Sequence, residues 1–117
     1  LKRFWSNLKT GFDYFEECAA AAPHIRHVHL HDNLMKTNLL GEPPVSEHLV
    51  YGLGDLHLPP GRGTIPLEDL FRRVDFTNDP SCCVELSSEC YPLVPEALQA
   101  ARELRELGRA AWETVSA

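Results

Sequence analysis

A run of strictly alternating residues between Ile25 and His31 constrains the fold of this chain more than any other segment. The alternation and the β-forming residues predict a strand. Consecutive side chains of a strand point to opposite faces, so His27, His29 and His31 share one face, while Val28 and Leu30 share the other. A strand covered on both sides in a parallel sheet is apolar on both faces. The three imidazoles therefore indicate a functional site at the end of this strand, an exposed edge, or core histidines with hydrogen-bond partners.

Helical and extended segments alternate along the rest of the chain, which predicts an α/β fold with a parallel sheet. A βαβ unit takes about 30 residues, so 117 residues hold about three βα units. The first predicted elements are a helix over 12–22, with Thr10 as N-cap and Pro23 as its stop, and the strand at 25–31. A long loop over 33–63 follows, with a short strand near 55–58. The remaining elements are a helix over 66–74, a turn at 78–80, a strand over 82–87, and a helix that begins at Pro95. In the last helix the apolar stripe is expected to contain Leu98, Ala101, Leu104 and Ala111.

The second piece of the candidate site is the Asp-Leu-His sequence at 55–57. In an extended segment Asp55 and His57 lie on one side. A carboxylate and an imidazole at this spacing can bind one divalent ion, or two adjacent ions, such as Zn, Mn, Co or Mg. The alternative is a loop acid beside a chance histidine.

The third piece is Glu85, which the predicted strand 82–87 places on one face with Cys83 and Ser87. A carboxylate buried on a central strand needs a cation, a metal or a shared proton. The alternative is a salt bridge to Arg26 or Arg62.

Between these pieces, Pro60-Gly61-Arg62-Gly63 forms a predicted turn. The glycines allow close approach of the backbone to a ligand, and Arg62 can hold a carboxylate or a phosphate. An ordinary tight turn explains the same residues equally well.

The composition limits the class of protein. The net charge is −6, with 11 basic and 17 acidic residues, and a nucleic-acid surface needs clustered cations. The four cysteines form no C-x-x-C pair, so reduced and mostly buried thiols are expected. No apolar run approaches the length of about 18 residues that a membrane span needs. We therefore expect a cytoplasmic protein without membrane contact, for which nucleic acid is not the main partner.

Three motifs together resemble the C-terminal part of the xylose isomerase-like TIM barrels, a superfamily of sugar-phosphate isomerases, epimerases and AP endonuclease family 2. The resemblance runs from about residue 12 to residue 108 and rests on the order and spacing of the motifs. They are His-Val-His-Leu-His-Asp-Asn at 27–33, Gly-Asp-Leu-His-Leu-Pro-Pro-Gly-Arg-Gly-Thr-Ile at 54–65, and Cys-Val-Glu-Leu at 83–86.

The resemblance implies a (β/α)8 barrel with a metal site at the C-terminal ends of its strands. His29 and Glu85 match the family's metal-binding His and Glu, and Asp55 with His57 matches the Asp-x-His pair of the endonuclease-like members. Gly61 and Gly63 match the family's turn, which the sugar epimerases also have. Since both motifs occur here, the resemblance does not separate the two subfamilies.

The function that these matches favour is a metal-dependent sugar or sugar-phosphate isomerase or epimerase. A divalent ion (Mn, Co, Mg or Zn) would polarise a carbonyl, and the catalytic base for the proton alpha to it would be Glu85 or its counterpart from an earlier strand of the barrel. His27, His31 and Arg62 would contact the substrate. The alternatives are a zinc-dependent AP endonuclease-like phosphodiesterase and a non-catalytic half barrel.

A barrel of this kind needs about 250 residues. We therefore expect residues 1–117 to be the C-terminal portion of a barrel, either missing its N-terminal half or completed by another chain in a homo-oligomer. The family takes a further Glu and Asp from earlier strands, so the isolated segment is expected to be inactive by itself.

Overall fold

Two short parallel strands form the sheet that positions the site. A computed structural model describes residues 13–34, residue 52 and residues 56–116. Strand β1 spans His27–Leu30 and strand β2 spans Ser81–Val84. They pair in parallel, with His27 opposite Ser81 and Leu30 opposite Val84. The predicted α/β class and the parallel pairing are confirmed for the described residues.

Three α-helices lie on one face of this sheet within the described residues. Helix α1 spans Tyr14–Ala21 and continues into a 3-10 turn at Ala22–His24. Helix α2 spans Leu67–Arg73, between the two strands in the chain. Helix α3 spans Val94–Ser116 and follows a 3-10 segment at Ser88–Leu93. None of the helices in these ranges is long and apolar enough to cross a membrane.

The start of α1 differs from the prediction. Its N-cap is Asp13, whose carboxyl oxygen accepts the N–H groups of Phe15 (2.9 Å) and Glu16 (3.3 Å). An aspartate at this position satisfies N–H groups that the first helical turn leaves without partners. The predicted cap, Thr10, lies outside the described residues. Pro23 lies within the 3-10 turn that ends the helix, as expected for a residue without an N–H donor.

The hydrophobic core lies between one face of the sheet and the helices. Leu30 is 2% exposed, and Val28, Cys82 and Val84 pack against the same cluster. The opposite face carries His27, His29, Ser81 and Cys83 and is exposed. The buried members of the cluster are Ala22, Leu30, Ile65, Leu67, Leu70, Phe71, Val74, Ala101 and Leu104.

The buried stripe of α3 agrees with the prediction at Ala101 and Leu104 and differs at its first residue. Ala97, Ala101 and Leu104 are buried, at spacings of four and three residues. Leu98 is 41% exposed, so its predicted place in the core is wrong. A stripe read from periodicity alone accepts either neighbour, and the structure buries Ala97 completely.

The second strand is shorter than predicted, which changes the environment of Glu85. Strand β2 ends at Val84, and the Glu85 N–H donates to the carbonyl of Leu30 (3.1 Å). Glu85 therefore lies just beyond the last residue of the strand, and 45% of its side chain is exposed. The expectation of a carboxylate buried on a central strand is wrong, because β2 ends at Val84, one residue before Glu85.

The strand predicted near 55–58 is also wrong in its described part. His57 has φ of 48°, in the left-handed region, and is not extended. Leu58 makes a single antiparallel bridge to Asp32. Asp55 lies outside the described residues, so its predicted metal role is not tested.

Acid sensitivity is expected from Asp79 in the turn before β2. Its carboxyl oxygens accept bonds from Arg105 (3.1 Å) and Arg109 (2.6 Å) of α3. The Arg109 and Arg105 bonds lower the pKa of Asp79 below its ordinary value of 3.8. Its contribution to stability is therefore present above that value and is lost as the pH falls through the lowered pKa. Urea unfolding between about pH 5 and pH 2 should show a shallower pH dependence for Asp79→Asn than for wild type; equal slopes would contradict this assignment.

The four cysteines are free thiols with different exposure. Cys83 is exposed on β2, whereas Cys90 is buried. Burial raises the pKa of Cys18 and Cys82, which lowers their thiolate fractions near neutral pH. The expectation of mostly buried thiols therefore fails for Cys83, because it lies on the uncovered face of the sheet.

Alkylation should follow this exposure. Iodoacetamide followed by peptide mass spectrometry should label Cys83 first, and Cys83→Ser should remove the fast phase. Equal labelling of Cys82 and Cys83 in the native protein would contradict the assignment of the two faces.

Candidate metal centre

The candidate site lies where the carboxyl ends of the two strands meet. His31 follows β1 directly, and Glu85 follows β2 directly. Because the strands are parallel and in register, their ends bring these two residues to the same edge of the sheet. The loop before the Gly-Arg-Gly turn adds His57. This is the arrangement in which ligand sites of parallel sheets form.

Three of these side chains form a compact donor group. One ligand atom each of His31, His57 and Glu85 lies within 4.8 Å of the others. The imidazole rings of His31 and His57 lie 4.1 Å apart, edge to face. His31 is buried, at 4% exposure, and the other two residues are half-buried. Two imidazoles and a carboxylate are a donor set that divalent transition metals accept.

His29 contacts the same group through Glu85. Its Nδ1 lies 3.2 Å from Glu85 Oε2, at hydrogen-bond distance. The structure thus places His31 in the donor group and His29 beside it as a partner of the carboxylate. The predicted roles of His29 as a ligand and of His31 as a substrate contact stay predictions.

Electrostatics keep Glu85 ionised. The hydrogen bond from His29 lowers the pKa of Glu85, and the charges of His57, His29 and His31 act in the same direction. Partial burial opposes the shift. A carboxylate that is ionised at neutral pH is ready to bind a cation without first releasing a proton.

The backbone of His57 is held in an unusual conformation. Its φ of 48° places it in the left-handed region, which few residues other than glycine adopt. Its carbonyl accepts the N–H of Ser87 (3.1 Å), two residues after Glu85. This bond ties the loop that carries His57 to the segment that carries Glu85.

Asp32 organises the loop from the β1 side. It is completely buried, and its carboxyl oxygens accept the N–H groups of Asn33 (2.9 Å), Gly61 (2.9 Å) and Ile65 (3.1 Å). At Gly63 a Cβ atom would collide with the Asn33 carbonyl and the Asp32 carboxyl group. The predicted turn at Gly61 and Gly63 is present. Position 63 requires a glycine because the backbone there approaches Asp32 and Asn33 too closely for a side chain.

Arg62 pairs with α3 in the structure. Its Nε and Nη2 donate to Glu96 Oε2 (2.6 Å) and Oε1 (2.8 Å). The bond from Arg62 lowers the pKa of Glu96, and Glu96 raises that of Arg62. Neither of the salt bridges considered for Glu85 is the contact found, since Glu85 meets His29. A role of Arg62 in substrate binding stays a prediction.

His27 is the first residue of β1, at the opposite end of the strand from the donor group. Its Nδ1 shares a hydrogen bond with Ser81 Oγ (2.6 Å), and its ring lies 4.9 Å from that of His29, edge to face. The position is on the exposed face of β1. Its predicted role in sugar binding is not tested by this geometry.

Two parts of the site were missed by sequence reasoning. Asp32 was predicted to end the strand and, following the three histidines, to mark the site, but its contacts with the turn at 61–65 were not predicted, because they join residues about 30 positions apart. Glu96 had no signal in the sequence, because its contact with Arg62 joins residues 34 positions apart.

Comparison with known proteins identifies the family. A family model described as the xylose isomerase-like TIM barrel matches residues 4–110, nearly the whole chain. The chain belongs to the xylose isomerase-like TIM barrel family. The resemblance derived from the three motifs is thereby confirmed. No curated protein and no solved structure matches the chain.

Membership in the xylose isomerase-like family makes an enzymatic role plausible, since the family includes sugar isomerases, sugar epimerases and AP endonucleases. The match does not place residues 4–110 within a barrel, so their assignment to its C-terminal part stays a prediction. Divalent metals are frequent in this family. The donor group of His31, His57 and Glu85 fits such an ion by its atom types and its spacing.

Proposed function

We propose that this chain contributes the metal site of a sugar or sugar-phosphate isomerase or epimerase. The observation that carries the proposal is the donor group of His31, His57 and Glu85 at the carboxyl edge of two parallel strands. The family to which the chain belongs includes sugar isomerases, sugar epimerases and AP endonucleases. Among these, the net charge of −6 favours a small substrate over a polyanion such as DNA.

Each residue of the donor group is held in place by a different interaction. His31 is fixed by burial, Glu85 by its bond to His29, and His57 by its backbone bond to Ser87. A bound divalent ion would supply polarisation of a substrate carbonyl and its neighbouring hydroxyl. Pre-positioned ligands of this kind need little rearrangement when the ion binds.

The pKa of Glu85 bears on its predicted second role as the base. A carboxylate with a lowered pKa is a weaker base, and Glu85 is already engaged by His29. We therefore propose Glu85 as an ion ligand first. Its role in abstracting the proton stays a prediction, as does the alternative that a carboxylate from another part of the barrel performs this step.

Exchange of the alpha proton tests the proposal. The full-length protein, loaded in turn with Mn, Co and Mg, is incubated with ketoses and ketose phosphates in D2O. We expect deuterium to appear at the carbon next to the carbonyl in a metal-dependent manner, detected by NMR. Asp79→Asn, which lies away from the donor group, serves as the control that should keep the exchange. No exchange with any metal or ketose would overturn the proposed function.

A zinc-dependent phosphodiesterase acting at abasic DNA is the second candidate. The presence of His57 in the donor group favours it, since the Asp-x-His pair is the motif that resembles the endonuclease-like members. The zinc content of the full-length protein separates the two proposals. Three zinc ions per chain and cleavage of an abasic duplex would support the nuclease, whereas one exchangeable Mn or Co supports the isomerase.

A further inference from the structure

We propose that Asp32 is a positioning residue that sets the place of His57 in the donor group, an inference that rests on the metal site of the proposed function. Asp32 touches neither the donor atoms of Glu85 nor those of His57 in any contact described above. Its effect would pass through the backbone of the loop at 58–65. The proposal names a role for a buried carboxyl group that the family match does not assign.

The Asp32 side chain is buried, and both of its carboxyl oxygens accept hydrogen bonds. It is 0% exposed, and its oxygens accept three backbone N–H groups, one from the next residue and two from the loop at 58–65. Oδ1 accepts from Asn33 and Ile65, and Oδ2 accepts from Gly61. A buried carboxyl group that accepts three N–H groups fixes the loop, because moving any of these donors away leaves a buried polar group without a partner.

A main-chain link also runs from Asp32 to His57. The N–H and carbonyl of Asp32 exchange two bonds of 2.8 Å with the carbonyl and N–H of Leu58. Leu58 is the residue directly after His57. The two bonds and the side-chain contacts to Gly61 and Ile65 thus hold the loop on the end of β1 immediately next to His57.

The backbone of His57 itself lies in the left-handed region. A residue other than glycine in the left-handed region is strained, and such strain persists only where surrounding structure enforces it. Here the Asp32 bridge holds one side of His57, and the Ser87 N–H holds its carbonyl on the other side. If the Asp32 side is loosened, His57 can relax to an unstrained conformation and withdraw from His31 and Glu85.

Hydrogen exchange of the wild-type protein tests this coupling without any substitution. The amides of Gly61 and Ile65 donate to Asp32, whereas the Ser87 amide donates to His57 and has no bond to Asp32. If Asp32 holds His57, the three amides open as one unit. We expect protection factors that agree within about tenfold. A Ser87 amide that differs from the other two by more than this would overturn the proposal.

Asp32→Asn tests the same link directly. An asparagine can keep the bonds to Asn33 and Ile65 only by turning its NH2 group towards the Gly61 N–H, which places a donor against a donor. We expect exchange at Ser87 to accelerate about tenfold or more beyond the change in global stability. Asp79→Asn removes the same charge in a turn whose partners are Arg105 and Arg109, and Ser87 should stay within about twofold of wild type. An unchanged Ser87 amide in a folded Asp32→Asn protein would overturn the proposal, and if this variant fails to fold, the wild-type measurement decides.

Titration with Co2+ separates this proposal from the proposed function. Asp32→Asn should weaken Co2+ binding about tenfold or more, the size of effect seen for groups that orient metal ligands, whereas Asp79→Asn should not. Undiminished binding in Asp32→Asn would overturn the positioning role. If the wild-type protein binds no Co2+, the metal site of the proposed function fails, while the Ser87 exchange data still decide whether Asp32 holds His57.

Discussion

Replacing Gly63 by alanine is expected to destabilise the folded protein by about 3 kcal/mol or more, close to the upper end for a single added carbon. The new Cβ would collide with the carbonyl oxygen of Asn33 and with the carboxyl group of Asp32. One of these is backbone and the other is completely buried, so neither can move without cost. The same carbonyl of Asn33 accepts the Thr64 N–H (2.8 Å), and displacement of the turn would break this bond as well.

Gly61→Ala is the matched control for this prediction. Gly61 has φ of 90°, which disfavours alanine, but apart from its chain neighbours no atom of the described residues lies within 4 Å of a Cβ built there. Its cost should therefore be backbone strain alone, about 1–2 kcal/mol. Urea unfolding of both variants measures the difference. A Gly63→Ala protein as stable as Gly61→Ala would show that the close approach to Asp32 and Asn33 does not exist in solution.

Replacing Glu85 by glutamine is expected to reduce affinity for divalent ions by at least about 100-fold, more than the loss usual for groups that only orient ligands. Glutamine has nearly the same shape but no charge, so the change removes an anionic ligand and its attraction to the cation. The bond to His29 contributes to holding Glu85 in place, and an amide would accept it more weakly. Titration with Mn2+ or Co2+ measures the affinity.

Glu89→Gln controls for the change in net charge. Glu89 lies four residues further along and is exposed in the 3-10 segment, where its carboxylate meets the Ser88 hydroxyl (3.3 Å). We expect its affinity for the ion to remain within about twofold of wild type, because a surface charge acts on the site only through screened solvent. Equal losses in both variants would indicate general electrostatic attraction in place of a bound ligand.

The parts of the fold that the sequence predicted are those set by short-range patterns. The alternation of His27, Val28, His29 and Leu30 predicted β1, and the parallel pairing followed from the order of helices and strands. The helix at Leu67–Arg73 was predicted within one residue at each end. Patterns of this kind succeed because periodicity and turn residues act within a few positions of the chain.

The parts that were wrong or missed depend on contacts between distant segments. The end of β2 is set by where β1 ends, and the pairing of Arg62 by the position of α3. For the site, Glu85 and His57 were predicted as metal ligands from the sequence, whereas His31, which the structure places in the donor group, was predicted to contact the substrate. The left-handed backbone of His57 has only a weak signal in its residue type, since histidine adopts this region more often than most residues but remains extended or helical in most positions.

The central claim is that His31, His57 and Glu85 together hold one divalent ion. A crystal structure of the protein loaded with zinc or manganese, with an anomalous difference map collected at the metal edge, tests it most directly. The account predicts a single strong peak within about 2.0–2.2 Å of one nitrogen of each histidine and of a Glu85 carboxylate oxygen. A peak ligated by other side chains, or no peak between these three residues, would contradict it.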